Sequence, residues 1–287
     1  MACRSARALD DDALTRAAVR SQMMRRWTLA AACAAATIAL AGTALASPPP
    51  SSEPEATAVA SSLPTTEVPE TISIGTSVEG RPITAVRRGD PDGRRVLVIG
   101  VIHGDEQAGL DIVARLIDLP VPDGIDLYLV DSMNPDGVAA DIRTNANLVD
   151  LNRNFPYRWG PIAEPGNWEY AGPSSASEPE TQAMVAFITE LRPDIVVWYH
   201  QDAYMIAPAD GRDGVIRSRY AELTGLPLES VTGGTYTGVA AQWARNELVE
   251  NTPVPGVAFI VELGGTLPPE EADMHANAVL TIAAEGI

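Results

Sequence analysis

"VLVIGVIHGDEQAGLDIVARLID", residues 96–118, decides the fold. Its first seven residues are apolar apart from Gly100, a pattern suited to a strand covered on both faces. A histidine, a glycine and two acids follow at 103–106, and from 107 to 118 the apolar residues recur at helical spacing. A strand therefore turns into a helix through a short polar link, and the chemistry-bearing residues stand in the link.

The same alternation continues along the chain. Strand-like runs are expected at 83–87, 95–102, 125–131, 194–200 and 257–262, with "DIVVWY" (194–199) as uninterrupted as the first. Helical patterns fill the gaps at 107–118, 213–224, 238–249 and 268–284. Ser177-Glu178-Pro179-Glu180 reads as a capping box opening a further helix to about residue 191. Apolar strands alternating with helices imply an α/β fold, an α/β/α sandwich around a mixed, mostly parallel sheet.

Of the 287 residues, the first 70 do not follow this plan. Residues 24–46, "MRRWTLAAACAAATIALAGTALA", have a basic start, an Ala- and Leu-rich centre and a small-x-small end, the three parts of a secretory signal peptide. Cleavage is expected after Ala46, with Met23 or Met24 as alternative starts. A membrane anchor is the competing reading of the same run, but alanine is only weakly apolar. Residues 47–70 are dense in Pro, Ser and Thr and lack an apolar face, so they read as a linker. The domain is then 71–287, expected outside the membrane, secreted or in the cell envelope, with no stable insertion after signal cleavage. Both cysteines, Cys3 and Cys33, precede it, so its core must hold it together without a disulfide.

Charge excludes some partners. The chain has no lysine, and its formal net charge is −18. Such a surface repels nucleic acid and anionic lipid.

In open α/β sheets ligands bind at the carboxyl ends of the strands. His103 follows one apolar strand and His200 ends another, so two of the three histidines fall where they could converge. His103 and Glu106 lie three apart in the turn and can point to one side. Two imidazoles and one carboxylate leave a position of a tetrahedral Zn²⁺ open, the catalytic type of zinc site. Taken alone, HxxE is common, and a strand-end histidine also has an ordinary structural reading. "MNPDGVAADIRTNANLVDLNRNFP" (133–156) is a long polar stretch carrying Arg143 and Arg153, and a loop of that size usually has a function. "FIVELGG" (259–265) brings a strand to Glu262, which also reads as an ordinary edge acid.

Together these pieces resemble the zinc carboxypeptidases of the carboxypeptidase A type: "SVEGRPITAVRRG" (77–89), "HGDE" (103–106), "NPDG" (134–137), "VDLNRNFP" (149–156), "WYHQ" (198–201) and "FIVELG" (259–264) occur in the family's order. With "SEPETQA" (177–183) they are most similar to the bacterial murein peptide amidase branch, which cleaves cell-wall peptides between D-glutamate and meso-diaminopimelate. The resemblance implies one Zn²⁺ per chain held by His103, Glu106 and His200, with Asp150 orienting His103. It implies Glu262 as general base, Arg143 as oxyanion stabiliser, and Asn152 with Arg153 as the grip on a carboxylate of a peptide substrate, a cell-wall peptide where the likeness to this branch extends to the substrate.

One stretch departs from the family. In "GGTYTGVAAQW" (233–243), Gly234 stands where a substrate-contacting tyrosine is expected, and Tyr236 two residues on either takes over that contact or packs. His275, among acids in the last helix, reads as a surface residue. Two other readings remain: an N-acyl amino acid deacylase of the aspartoacylase and succinylglutamate desuccinylase type, and a non-catalytic wall-binding module. The export signal weighs against the first.

Overall fold

The computed structural model describes residues 69–249 and 255–287; the signal-peptide and linker readings and both cysteines lie outside the described residues, except that the linker's assigned end meets the first strand. Six strands form one sheet: β1 (Glu70–Thr76), β2 (Pro82–Gly89), β3 (Arg94–Val101), β4 (Ile125–Ser132), β5 (Ile195–Gln201) and β6 (Val257–Leu263). Their order is β1-β2-β4-β3-β5-β6. β4, β3, β5 and β6 run parallel, while β1 and β2 add an antiparallel edge.

Side-chain alternation separates two cores. Val96 and Val98 of β3, Ile195 and Val197 of β5 and Phe259 and Val261 of β6 point to one face. There they meet α1 (Gly109–Asp118), α4 (Gly211–Thr224) and α6 (Pro269–Glu285) through residues such as Ile112, Leu116, Ile216 and Val279. Leu97, Ile99, Val196 and Trp198 point to the other face, against α3 (Pro179–Leu191) and α5 (Ala240–Val249) through Met184, Ile188, Trp243 and Leu248. A short helix, α2 (Pro135–Ala140), follows β4. This is the expected α/β/α sandwich with a mixed, mostly parallel sheet.

Each fully buried Ile, Leu or Val contributes about 1.5–3 kcal/mol, whereas an ion pair in water's reach such as Arg219–Glu285 is screened and adds little. The two apolar layers therefore dominate stability. Among the described residues no helix is long and apolar enough to cross a membrane.

Three local readings are corrected. β1 begins at Glu70 in "ETISIGT", a half-buried edge strand whose alternation is too weak to mark it in the sequence. The capping box does not form: Glu178 is the N-cap of α3, and no side chain caps it. Ser177 Oγ instead donates to Glu178 at 2.7 Å, and Glu180 accepts from the N–H of Val78 at 2.9 Å. His275 is fully buried on α6, not at the surface. Its Nδ1 meets Tyr220 Oη at 2.8 Å, and that hydroxyl is 2.8 Å from Tyr199 Oη.

Candidate metal centre and active site

Two glycine-bearing turns build the base of the site. β3 leaves the sheet at Val101, and a Cβ on Gly104 would stand 1.9 Å from the carbonyl carbon of Gly137, so the "HGDE" turn packs backbone to backbone on α2. Any other residue at 104 would push the two apart. Asn134 fixes the same junction. Its Oδ1 caps α2 by accepting from the N–H of Gly137 at 3.0 Å, and its Nδ2 donates to the carbonyls of Ile102 and Thr144 at 3.0 and 3.2 Å. The N–H of Glu106 donates to the carbonyl of His103 at 3.1 Å, closing the turn that puts both side chains on one side.

His200 arrives from β5, and the carboxylate of Glu106 bridges the two rings. Oε1 is 2.9 Å from His103 Nδ1 and Oε2 is 2.8 Å from His200 Nδ1. The ring centroids are 4.7 Å apart, and one donor atom from each of the three residues lies within 4.8 Å of the others. On the far side of its ring, His103 Nε2 is 3.1 Å from Asp150 Oδ1, which also accepts from the N–H of Asn152 at 2.8 Å. A proton held on Nε2 by Asp150 leaves Nδ1 with its lone pair toward Glu106, the tautomer a metal ligand needs.

The electrostatics favour a cation here. Burial opposes charge on His103, yet Asp150 and Glu106 outweigh it and raise the ring's pKa above its usual 6.5. Burial would likewise raise Glu106, but His103 and His200 hold its carboxyl far below the usual range. Asp150 behaves in the same way, with burial overcome by His103 and Arg143. Two buried imidazoles and a carboxylate, backed by a second buried acid, suit a divalent ion and match the catalytic zinc set of two His and one acid.

The sequence pattern of the zinc carboxypeptidases matches residues 64–210. The chain belongs to this family. It is 31% identical over 189 residues to murein peptide amidase A of Escherichia coli K12, an alignment covering 62% of this chain and 77% of that protein. It is 29% identical over 167 residues to carboxypeptidase SOL1 of Arabidopsis thaliana, covering 52% of this chain and 32% of that one. Among solved structures, the murein-tripeptide amidase of Escherichia coli O157 superposes with a TM-score of 0.59 at 25% identity, covering 75% of this chain and 92% of that one. Carboxypeptidase A of Helicoverpa armigera shares the fold, with a TM-score of 0.64 at 20% identity and coverage of 76% and 68%. This zinc carboxypeptidase is thus a metallopeptidase of a zinc-dependent family, which sets aside the deacylase and the non-catalytic module.

The rest of the peptidase's site lies in a cavity of about 780 Å³ lined by His103, Glu106, His200 and Glu262 among others. Glu262 is the register partner of His200 across β5 and β6. Among the described residues no hydrogen bond or ion pair holds its carboxylate, unlike that of Glu106. Arg143 lies closer to the ligand cluster than an oxyanion role alone requires: Nη2 and Nε donate to Asp150 Oδ2 at 2.8 and 3.1 Å, and Nη1 donates to Glu106 at 3.1 Å. Asn152 Oδ1 accepts from the N–H of Ala240 at 3.0 Å, and its Nδ2 is 3.4 Å from His200 Nε2. Arg153 is buried, and its Nη2 donates to Glu169 at 2.9 Å, while its Nε meets no partner among the described residues. Gly238 allows this packing, since a Cβ there would stand 2.1 Å from the carbonyl oxygen of Arg153.

Tyr236 lies with its ring 5.2 Å from the Arg153 guanidinium. A Cβ on Gly234 would meet that ring at 3.0 Å, so the tyrosine covers the ground left by the glycine. Several further residues join the site beyond those assigned a role from the sequence. The Trp168 ring is 4.9 Å from the Arg143 guanidinium, beside Glu169, so adjacent residues of one loop engage both arginines. Gln201 joins three elements: its Oε1 accepts from the N–H of Ala108 at 2.9 Å, its Nε2 donates to the carbonyl of Gly264 at 3.0 Å, and its N–H donates to Glu106 at 3.2 Å. The exposed tryptophan in "EPGNWEY" (164–170) was the signal for the first pair, and "WYHQ" for Gln201.

Proposed function

We propose that His103, Glu106 and His200 hold one zinc ion per chain, and that the enzyme hydrolyses cell-wall peptides at the amide bond between γ-D-glutamate and meso-diaminopimelate. The observation that carries the first part is the convergence of the three donors beside Glu262. Zinc in such a site supplies Lewis acidity, activating water and polarising the scissile carbonyl. Glu262, on the neighbouring strand and without another partner among the described residues, takes the proton of the attacking water and returns it to the departing nitrogen as the C–N bond breaks. Arg143 offers N–H donors to the negative charge that develops on the carbonyl oxygen. Asn152 and Arg153 take a substrate carboxylate, which the planar guanidinium of Arg153, lining the cavity, suits. Tyr236 covers the Arg153 guanidinium beside that carboxylate.

The murein substrate is supported by the similarity to murein peptide amidases and by the leader-like residues 24–46, since an exported enzyme meets wall peptides and not cytoplasmic metabolites. Export to the cell envelope or medium is part of the same proposal. The test incubates the protein from residue 47 onward, with zinc, with L-Ala-γ-D-Glu-meso-diaminopimelate and with a conventional carboxypeptidase substrate, read by mass spectrometry. Release of diaminopimelate supports the reading. Release of ordinary C-terminal residues with the tripeptide untouched overturns the murein assignment and leaves the peptidase.

A further inference from the structure

The cavity extends along α5 beyond the ligand cluster, and its wall there carries charge that the proposed chemistry does not use. α5 begins against Asn152, as the Ala240 N–H contact shows. Ala241, Gln242 and Arg245 of this helix line the cavity. From Ala241 to Arg245 is one turn, about 6 Å along the axis. Arg217 of α4 reaches the same cavity, with Nη2 donating to the carbonyl of Ala258 at 3.2 Å and Nη1 to that of Ala207 at 3.0 Å.

The two arginines share a single acid. Asp213 accepts from Arg217 Nε and Nη2 at 2.6 and 2.8 Å and from Arg245 Nη1 at 3.2 Å. Two guanidiniums on one carboxylate leave a net positive charge on this stretch of wall, in a chain whose formal net charge is −18. Arg217 is buried and committed to backbone and Asp213. Arg245 is half exposed, and among the described residues Asp213 is its one partner. The remaining donors of its planar fork suit the two oxygens of a carboxylate.

We propose that Arg245, positioned by Asp213 and backed by Arg217, is a specificity-determining residue that binds a carboxylate at the end of the released residue's side chain. The identity of that residue rests on the cell-wall reading above. In meso-diaminopimelate the two carboxyl carbons are six bonds apart, about 7 Å in an extended chain at about 1.2 Å per bond. Asn152 touches the first residue of α5 and Arg245 lies a little over one turn further along it on the same cavity wall, a separation of the same order as that span. Glu229 lines the same cavity and supplies the opposite charge for the amino group on the same carbon. Lysine has the same chain without the distal carboxylate, so it brings Arg245 an ammonium and no anion.

The test compares kcat/KM of the zinc-loaded enzyme on L-Ala-γ-D-Glu-meso-diaminopimelate and on the tripeptide ending in L-lysine. The expected preference for the first is roughly 10- to 100-fold, the range of a hydrogen bond to a charged group. Arg245→Gln should bring the ratio to near one, and Arg245→Lys, which keeps the charge without the fork, should retain part of it. Thermal melting and zinc content show whether each variant is folded. A ratio unchanged in Arg245→Gln, or no preference in the parent enzyme, overturns the inference while the cell-wall reading stands. If neither tripeptide is cleaved, the cell-wall reading fails. The subsite is then judged on ordinary peptides ending in 2-aminopimelate or its ω-amide: a preference for the acid that Arg245→Gln abolishes supports it, and equal rates overturn it.

Discussion

His200 and Glu262 are register partners on the parallel strands β5 and β6, so their side chains leave the same face of the sheet side by side. The sheet itself thus places the proposed base next to a proposed metal ligand, without help from a loop. The two carboxylates of the centre differ in their partners. Glu106 is bound by His103, His200 and Arg143, whereas Glu262 lines the cavity with no side-chain partner among the described residues.

That difference separates metal binding from proton transfer. Glu262→Gln should keep its zinc and lose roughly 10²- to 10⁴-fold in turnover, the usual contribution of a positioned acid or base. Single-turnover kinetics alongside elemental analysis of the variant check this; near-normal turnover would assign the base elsewhere.

Arg153 binds Glu169 at 2.9 Å, so the substrate carboxylate proposed to bind there would compete with Glu169 for one guanidinium. Arg153→Ala should raise KM for a free-acid peptide about 10- to 100-fold and much less for the corresponding amide, while Glu169→Gln should lower KM for the free acid. Equal effects of Arg153→Ala on acid and amide would make its role structural.

His275 predicts an acid-sensitive core. Burial lowers its pKa from 6.5 to about 4, so the folded state holds it neutral where the unfolded chain would take up a proton. Its contribution to stability is fully present above pH 6.5 and is lost as pH falls toward 4, amounting to about 3 kcal/mol at 1.36 kcal/mol per unit. Urea unfolding at pH 7 and pH 4 measures this, and His275→Asn should flatten the difference. An equally steep loss in the variant would place the sensitive group elsewhere.

What was legible in the sequence follows from what each feature depends on. Uninterrupted apolar strands and helical spacing depend on burial alone, so the sandwich and the strand-end positions of His103, His200 and Glu262 could be read from one chain. β1 is an edge strand with half its residues in solvent, and its pattern is correspondingly faint. His275 sits among acids in sequence but faces Tyr199 and Tyr220 in the core, because α6 turns that side inward. Asp213 and Arg217 stand one helical turn apart on α4, a pair the sequence could have shown, whereas the pairing of Glu169 with Arg153 and of Asp213 with Arg245 joins residues from separate elements at no recurring spacing, so only the folded chain brings those together.

The central claim is that His103, Glu106 and His200 form one zinc site. Its most direct test is the zinc content, by elemental analysis after dialysis, of the parent protein and of His200→Ala, with circular dichroism confirming that both are folded. The account predicts one zinc per chain in the parent and close to none in the variant; full occupancy in folded His200→Ala would contradict it.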